Sequence, residues 1–237
     1  MSARFAALLC CLLLLTGCGT RTVAVIDDKG FAEMSRRMPE EMRARKLLTQ
    51  EGDYYSRPAA SRPYGDILYN TLSPDFLFDD TGGHVYLGET FHATRTPSSR
   101  VSLRENGFTL RHPTQIVTVA MLGELDWDDN GSDEWLVSCR VEPLRGSRVR
   151  TYYLLVSPPA HKGQPLKASV AALYECYGLA CTMYVNHALV LRGEGNDSSE
   201  PATPVQDSVP GLQQVTEPPA AGKNDAATPG GLEEHSL

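Results

Sequence analysis

An acidic loop between two alternating segments, at residues 117–141, constrains the fold of this chain more than any other stretch. Apolar side chains occupy every second position on both sides of the loop: Val117, Val119 and Met121 before it, and Trp135, Val137, Cys139 and Val141 after it. A period of two places such side chains on one face of an extended strand. The stretch therefore predicts an antiparallel hairpin that buries one face in a hydrophobic core.

The same period of two continues on both sides of this hairpin and predicts further strands. The segments concerned are residues 84–95, 101–110, 149–156, 169–177 and 182–191. Within 101–110, the dipeptide Asn106-Gly107 separates two alternating runs, and this dipeptide is a strong short-range signal for a β-hairpin. We therefore predict a mainly β (α+β) fold, an antiparallel sheet or meander of about six to eight strands.

The residues before the sheet predict one or two short helices. Asp28 is a candidate N-cap for a helix that continues to Met38, and Pro39 suits the first position of a second helix. This second helix is expected to end near Gly52, and one helical turn is expected around residues 66–72. The aromatic residues of 53–83 are expected to pack on the sheet; the alternative is a groove for a sugar or a peptide.

The loop of the central hairpin, residues 126–134, carries the oxygen ligands that hard cations prefer. Side-chain oxygens stand at its first, third, fifth and ninth positions, and a glycine at the sixth allows a sharp turn. The pattern resembles the DxDxDGxxD calcium loops of FG-GAP and VCBS-type β-repeats, although a glutamate replaces the final aspartate. The resemblance implies a Ca²⁺ site formed by Asp126, Asp128, Asn130, Ser132 and Glu134.

A solvated acidic turn is the alternative interpretation of this loop. Five carboxylates lie within its nine residues, and no lysine or arginine lies among them. Their repulsion lowers stability unless a cation or the solvent screens it. An EF-hand is not supported, because the twelfth position is Val137 and both flanking segments alternate like strands.

The N-terminus has the features of a bacterial export signal. A positive charge precedes an apolar core at residues 5–15, which is too short to span a bilayer as a stable helix. Leu15-Thr16-Gly17-Cys18 follows and resembles the lipobox of bacterial lipoproteins. The resemblance implies cleavage before Cys18, acylation of the Cys18 thiol and anchoring in a membrane of the cell envelope. An ordinary secretory signal that is cleaved nearby is the alternative.

These features divide the chain into four segments: a signal peptide at 1–17, a tether at 18–26, a single globular domain at 27–193 and a disordered tail at 194–237. Residues 196–237 contain no aromatic residue and carry seven acids against one lysine. Such a segment buries too little apolar surface to offset its ordering entropy. The rest of the chain is close to neutral, which argues against binding to nucleic acid.

Three of the six cysteines are left for the mature domain, because two lie in the signal peptide and Cys18 is the expected lipid site. Compartments outside the cytoplasm are oxidising, so we predict a disulfide between Cys176 and Cys181. A bridge from Cys139 to either of them is the alternative. A zinc site that adds His187 to these three cysteines is a further hypothesis, which rests on the four-residue spacing between Cys176 and Cys181.

The sequence contains no G-x-S-x-G, P-loop, H-E-x-x-H or G-x-G-x-x-G motif, and its histidines lack ligand spacing. We therefore expect a non-enzymatic lipoprotein, a structural or binding module that is held at the membrane and contacts an envelope protein or polysaccharide. The alternative is a lipid-anchored hydrolase, or an accessory subunit of one, that acts on envelope polymers. Gly19, where some lipoproteins have an aspartate, implies the outer membrane if the organism is Gram-negative.

Overall fold

The computed structural model describes residues 20–78 and 89–186, together with the backbone of Gln213–Val215. Within these residues, ten strands form one curled sheet and three short helices lie against it. The helices are α1 (Asp28–Arg37), α2 (Pro39–Ala44) and α3 (Tyr64–Thr71). The strands are β1 (Thr22–Val25), β2 (Tyr55–Ser56), β3 (Arg100–Arg104), β4 (Gly107–Arg111), β5 (Gln115–Leu125), β6 (Glu134–Pro143), β7 (Arg148–Val156), β8 (Ala168–Tyr177), β9 (Ala180–Val185) and β10 (Gln213–Val215).

The sheet is built around a meander that runs from β3 to β9. Its long path has the order β10-β9-β8-β7-β6-β5-β1-β2, and β4 and β3 continue from β5 beside this path. All described pairs are antiparallel except β1 with β2, which is parallel. Short connections favour pairing between consecutive strands, and the predicted mainly β fold with short N-terminal helices is confirmed.

Strand β5 changes its partner halfway along its length. Its first half pairs with β4, as far as Ala120 opposite Gly107, and its second half pairs with β1. The change coincides with a β-bulge, because the register against β6 shifts between Met121 and Gly123. A bulge adds a residue and redirects the side chains that follow. Met121 and the extra residue Leu122 therefore lie in different cores.

One face of the sheet carries an aromatic core beneath α3 and the segment that follows it. Its aromatic members, which pack with aliphatic residues of β4 to β8, are Tyr64, Tyr69, Phe76, Phe91, Phe108, Trp135 and Tyr152. Several of these rings meet edge to face, such as Tyr64 with Trp135 at 5.2 Å between centroids, which is a favourable geometry. For Tyr64, Tyr69 and Phe76, the expectation that the aromatics of 53–83 pack on the sheet is confirmed.

The opposite face carries a second core beneath α1 and α2. Its largest buried members are Phe31, Met34, Met42, Leu47, Leu122, Leu125, Trp127, Leu136 and Leu155. Helix α1 is capped by Asp27, whose carboxylate accepts the backbone N–H of Gly30 at 3.1 Å. The predicted N-cap, Asp28, is instead the first helical residue. Both aspartates are suitable caps by type, and only the side chain of Asp27 makes the capping bond.

Helix α2 begins at Pro39 as predicted but ends at Ala44, well before Gly52. The chain leaves the helix through a Schellman motif. The N–H of Leu47 donates to the carbonyl of Met42, and the N–H of Lys46 donates to that of Arg43. Lys46 takes the left-handed conformation that this motif requires, with φ of 59°, and Met42 and Leu47 are both fully buried. Burial of these two side chains stabilises the chain reversal, although its left-handed position is a lysine and not a glycine.

The chain enters the sheet earlier than the sequence indicated. The tether was expected to reach residue 26, whereas β1 occupies Thr22–Val25 and its Val23 and Ala24 have no exposed surface. A short apolar run without alternation is the pattern of a strand that is buried on both faces. At the other end, β10 lies within the segment expected to be disordered and pairs with β9. Residues 187–212 and 216–237 lie outside the described residues.

The strand predicted at residues 84–95 is not formed in its described part. Residues 84–88 lie outside the described residues, and residues 89–95 form a turn. The Thr90 hydroxyl oxygen accepts the N–H of Ala93 at 3.2 Å, and the Thr94 N–H donates to the Thr90 carbonyl at 3.2 Å. Such local bonds compete with strand pairing, while Phe91 is buried in the aromatic core.

Candidate functional site

The acidic loop connects β5 to β6, and its first aspartate organises it. The Asp126 carboxylate accepts the backbone N–H groups of Asn130 and Gly131, each at 3.0 Å. Gly131 has φ of +85° and Asp129 has φ of +63°, so the chain reverses through two left-handed residues. Glycine adopts this conformation without cost, and aspartate tolerates it better than most residues. The sharp turn predicted at Gly131 is therefore present.

Three of the five predicted metal ligands come together in space. Oxygen atoms of Asp126, Asp128 and Glu134 lie within 4.8 Å of one another. Glu134 is buried and accepts the N–H of Trp127 at 2.8 Å. Burial raises the pKa of Glu134 to about 7, with the charges of Asp128 and Asp126 adding to this effect and the Trp127 N–H opposing it. The Oδ1 atom of Asp128 is buried and has no hydrogen-bond partner among the described residues.

The other two predicted ligands, Asn130 and Ser132, are exposed at the tip of the loop. The Asn130 side-chain oxygen accepts the backbone N–H of Ser132 at 2.7 Å. This bond closes a small turn of the kind that asparagine commonly forms. The three carboxylates therefore converge inside the loop, whereas the Asn130 amide stabilises the turn at its tip.

Three cations from outside the loop contact its carboxylates, and the sequence gave no signal for them. Arg21 lies 3.3 Å from Asp126 and 3.4 Å from Asp129, and Lys46 lies 3.3 Å from Asp129. Arg57 forms an ion pair with Asp133. These cations belong to separate segments that meet the loop only after β1 has joined the sheet. Part of the repulsion expected within the loop is thereby relieved.

The loop is also fastened to α2. Arg45 stacks over the ring of Trp127 at 4.4 Å from the centroid and donates to the Trp127 carbonyl at 3.2 Å. Its guanidinium pairs with the buried carboxylate of Glu41 at 2.6 Å. The Arg21 guanidinium donates to the backbone carbonyls of Asp126 and Arg45. The start of the domain, α2 and the loop therefore form one connected end of the molecule.

A groove with a volume of about 250 Å³ lies beside α1, on the sheet face that carries the second core. The flank of α1 forms one wall, and β4 to β7 form the floor. Four polar residues of the floor, Thr109, Thr118, Arg140 and Thr151, stand opposite one another on adjacent strands. The sequence analysis missed this site, because its residues are far apart in the chain and belong to no motif.

The groove is rich in positive charge. Its lining includes four cationic side chains, Lys29, Arg37, Arg104 and Arg140, and two carboxylates, Asp27 and Glu33. Arg37 is fixed in position, because it donates to Glu33 at 2.5 Å and to the Tyr153 hydroxyl at 2.8 Å. Burial raises the pKa of Tyr153, an effect that Arg37 partly opposes. The arrangement suits an anion that needs several donors.

The cysteines follow the main prediction. Cys176 and Cys181 stand opposite each other on β8 and β9 and form a disulfide, while Cys139 is a buried free thiol. Cys139 belongs to the aromatic core, so it cannot reach the bridge from within that core. The disulfide also removes two of the thiolates that the zinc hypothesis requires, and His187 lies outside the described residues.

No protein family model matches this chain, and no curated protein or solved structure is significantly similar to it. In the part of the chain that the structure describes, no helix has the length and apolar character needed to cross a membrane. Cys18, the predicted lipidation site, lies outside the described residues. The geometry of the loop and of the groove therefore carries the functional argument.

Proposed function

We propose that this protein is a lipid-anchored module of the bacterial cell envelope that binds a partner in the compartment it faces. The lipobox-like residues 15–18 supply the anchor, through acylation of Cys18. One observation carries the proposal beyond the motif: the chain is fixed to the domain almost directly after that cysteine. Arg21 already contacts Asp126, Asp129 and the carbonyl of Arg45.

The short connection restricts how the domain sits relative to its anchor. Three Cα-to-Cα steps lead from Cys18 to Arg21, and they span at most about 11 Å when extended. The end of the molecule that holds the acidic loop therefore lies near the lipid. Strand β6 leads away from this loop for ten residues, or about 33 Å. The turns at its far end are directed away from the membrane and are available to other envelope components.

The anchor is tested by removing its thiol. Cys18→Ala is expected to block lipidation and processing at this site, whereas Cys11→Ala, a matched change inside the apolar core of the signal, is expected to leave both intact. Expression in a bacterial host, detergent-phase partitioning and intact mass measure the difference. Identical partitioning and identical lipid mass for Cys18→Ala and the parent would remove the lipoprotein assignment.

The acidic loop is proposed to hold Ca²⁺ and so to stiffen the membrane-proximal end. Asp126, Asp128 and Glu134 supply converging oxygens, and the buried Oδ1 of Asp128 lacks a donor among the described residues. A buried carboxylate oxygen without a partner is costly, and a cation would satisfy it. Because Arg21 already pairs with Asp126, we expect weak affinity, about 0.1–1 mM, as in extracellular modules.

Thermal unfolding in chelator and in millimolar Ca²⁺ tests this site. At about 1 mM free Ca²⁺, mass action adds roughly 0.4–1.4 kcal/mol to the free energy of unfolding, which raises the melting temperature by about 1–6 °C. Asp128→Asn is expected to abolish the shift. Asp129→Asn keeps it, because Asp129 pairs with Arg21 and Lys46 and asparagine tolerates its positive φ. Coincident melting curves with and without Ca²⁺ would leave the loop as a solvated turn.

A further inference from the structure

We propose that the groove between α1 and the floor formed by β4 to β7 binds a soluble polyol phosphate, such as a sugar phosphate. This inference deepens the proposed function by naming what the module binds, and it rests on that function for the compartment and for the position of the lipid anchor. The groove supplies what such a ligand needs: positive charge for the phosphate and a row of hydroxyl groups for the polyol.

The groove has cations that the protein does not neutralise itself. Lys29 and Arg104 line it and have no carboxylate within salt-bridge distance among the described residues. Arg140 pairs with Glu142 at 2.5 Å, but both side chains are substantially exposed, and an exposed pair is weak. An anion that enters the groove therefore meets two cations without an ion pair and a third that exchanges its partner easily, against one unpaired carboxylate, Asp27, which caps α1.

Arg37 is held in place at the wall of the groove by contacts with three side chains. Its guanidinium donates once to Glu33 and once to Tyr153, and it lies 3.8 Å from the centroid of the Tyr174 ring. A guanidinium has five N–H donors, so three are left for a ligand. Planar donors held in place lose little entropy on binding, and arginine is suited to the oxygens of a phosphate. Arg37 thus acts as a positioned donor at the wall.

The floor of the groove supplies hydroxyl groups. Thr109 and Thr118 lie 3.5 Å apart through their hydroxyl oxygens, which is at the limit of a hydrogen bond. Thr151 is 8% exposed and continues this row on β7, where it stands opposite Arg140. A threonine hydroxyl both donates and accepts hydrogen bonds. A ligand hydroxyl, which both donates and accepts, fits this row better than a bare ion.

The position of the groove favours a soluble ligand over a phospholipid headgroup, which carries the same phosphate chemistry. The chain runs through the four residues of β1 before it reaches α1, a distance of about 13 Å along the strand. The anchored end lies at the start of this strand, at Arg21, where the loop carboxylates gather. The Asp27 end of the groove therefore lies farther along the chain from the anchored end than the loop carboxylates do, which favours a soluble ligand.

Calorimetric titration of the full lipidated protein in neutral detergent tests the site, with glycerol 3-phosphate and inorganic phosphate as probes at physiological salt. Glycerol 3-phosphate is expected to bind more tightly than inorganic phosphate. Lys29→Gln and Arg104→Gln are each expected to weaken binding about 10-fold. Thr151→Val is expected to remove the advantage of glycerol 3-phosphate over phosphate. The matched controls Arg36→Gln on α1 and Arg100→Gln on β3 lie outside the groove and are expected to bind like the parent.

A second experiment distinguishes a soluble polyol phosphate from a phospholipid headgroup. The lipidated protein is placed in vesicles of phosphatidylcholine alone or with phosphatidylglycerol, and the titration is repeated. We expect equal affinity for glycerol 3-phosphate in both vesicles. Weaker binding in the phosphatidylglycerol vesicles that persists at high salt, where the surface potential is screened, means that the headgroup occupies the groove, and it overturns the soluble ligand. Absence of saturable binding to either probe, or equal losses in the control variants, overturns the site while leaving the detergent-partitioning test of the anchor unaffected.

Discussion

Gly65 decides how closely α3 approaches the β3–β4 hairpin, and Gly107 decides how closely β4 approaches β5 at the same place. A Cβ atom on Gly65 would lie 2.0 Å from the carbonyl oxygen of Arg104 and 2.2 Å from that of Gly107. A Cβ atom on Gly107 would lie 2.1 Å from the carbonyl oxygen of Val119. The N–H of Gly65 donates to the carbonyl of Glu105 at 3.0 Å. Backbone therefore packs directly on backbone at this crossing, which only glycine permits.

Gly65→Ala is expected to lower the free energy of unfolding by at least about 3 kcal/mol, because the obstructing atoms belong to the backbone and cannot rotate away. Gly30→Ala is the matched control in α1. Its Cβ would meet the side chains of Leu122 and Asp27, at 2.6 and 2.7 Å, and these can shift. Higher helix propensity, about 1 kcal/mol, offsets the strain. Urea unfolding measures both, and equal losses would contradict the backbone contact.

Gly107 also explains where the turn of the predicted hairpin lies. The hairpin around Asn106-Gly107 is present, but Arg104 pairs with Gly107, so Glu105 and Asn106 are the central residues of the turn. Neither of them has a positive φ. The dipeptide correctly indicated a reversal, yet Gly107 serves the close approach to Val119 rather than a left-handed turn position. Local sequence alone does not distinguish these two uses of glycine.

At the scale of elements, β7 and β8 are joined by a partly buried charge cluster as well as by their backbone ladder. Glu175 on β8 lies 2.8 Å from Arg148 and 2.7 Å from Arg150 of β7. Burial alone would raise the pKa of Glu175, but hydrogen bonds and charges from the two arginines outweigh this effect and hold it below its ordinary value. The ionised carboxylate is therefore the form that the fold stabilises.

The pH dependence of stability follows from this direction. Since the pKa of Glu175 is lower in the folded than in the unfolded protein, its contribution is present above the unfolded pKa and is lost as the pH falls through the folded one. Glu175→Gln is expected to cost about 1–3 kcal/mol at neutral pH and progressively less in acid. Glu142→Gln, which removes an exposed pair, is expected to cost about 0–1 kcal/mol. Chemical unfolding across the acidic range measures both, and a Glu175 effect independent of pH would refute this account.

At the scale of the whole molecule, the sheet separates its thiols by placing them in different environments. Cys139 is fully buried in the aromatic core, and burial raises the pKa of its thiol. A buried, protonated thiol is a poor nucleophile. The disulfide between Cys176 and Cys181 instead lies close to the exposed turn at Gly178 and Leu179. A reagent therefore reaches the Cys139 thiol only when the packing of the cores on the sheet opens.

Alkylation of the mature protein tests this arrangement. Iodoacetamide is expected to leave Cys139 unmodified in the native state and to modify it in denaturant without reductant, whereas Cys176 and Cys181 react only after reduction. The native reaction rate should follow global opening of the fold. Ser147→Cys, at an exposed turn, supplies a control thiol that reacts at once. Labelling of Cys139 as fast as that control, or of Cys176 without reductant, would contradict the prediction.

Much of the fold was predictable because its signals are local. Alternation with period two predicted the strands around residues 117–141 and 149–177, since such a pattern buries one face only when the chain is extended. Pro39 predicted the start of α2. Cys176 and Cys181 were the closest pair in the domain, and the tight turn between them brings them opposite each other. In each case, residues within a few positions of one another contain the information.

The sequence by itself therefore determined the mainly β class, the central hairpin and the acidic character of its loop, because these depend on side-chain periodicity and on neighbouring residues. Only the tertiary structure decided what surrounds that loop and where the groove lies. Arg21, Lys46 and Arg57 contact the loop carboxylates from distant segments. Lys29 on α1 and Arg104 on β3 line one groove although they are far apart in the chain. Such groupings arise when apolar burial brings separate elements together, and burial fixes the positions of polar groups that no local pattern records.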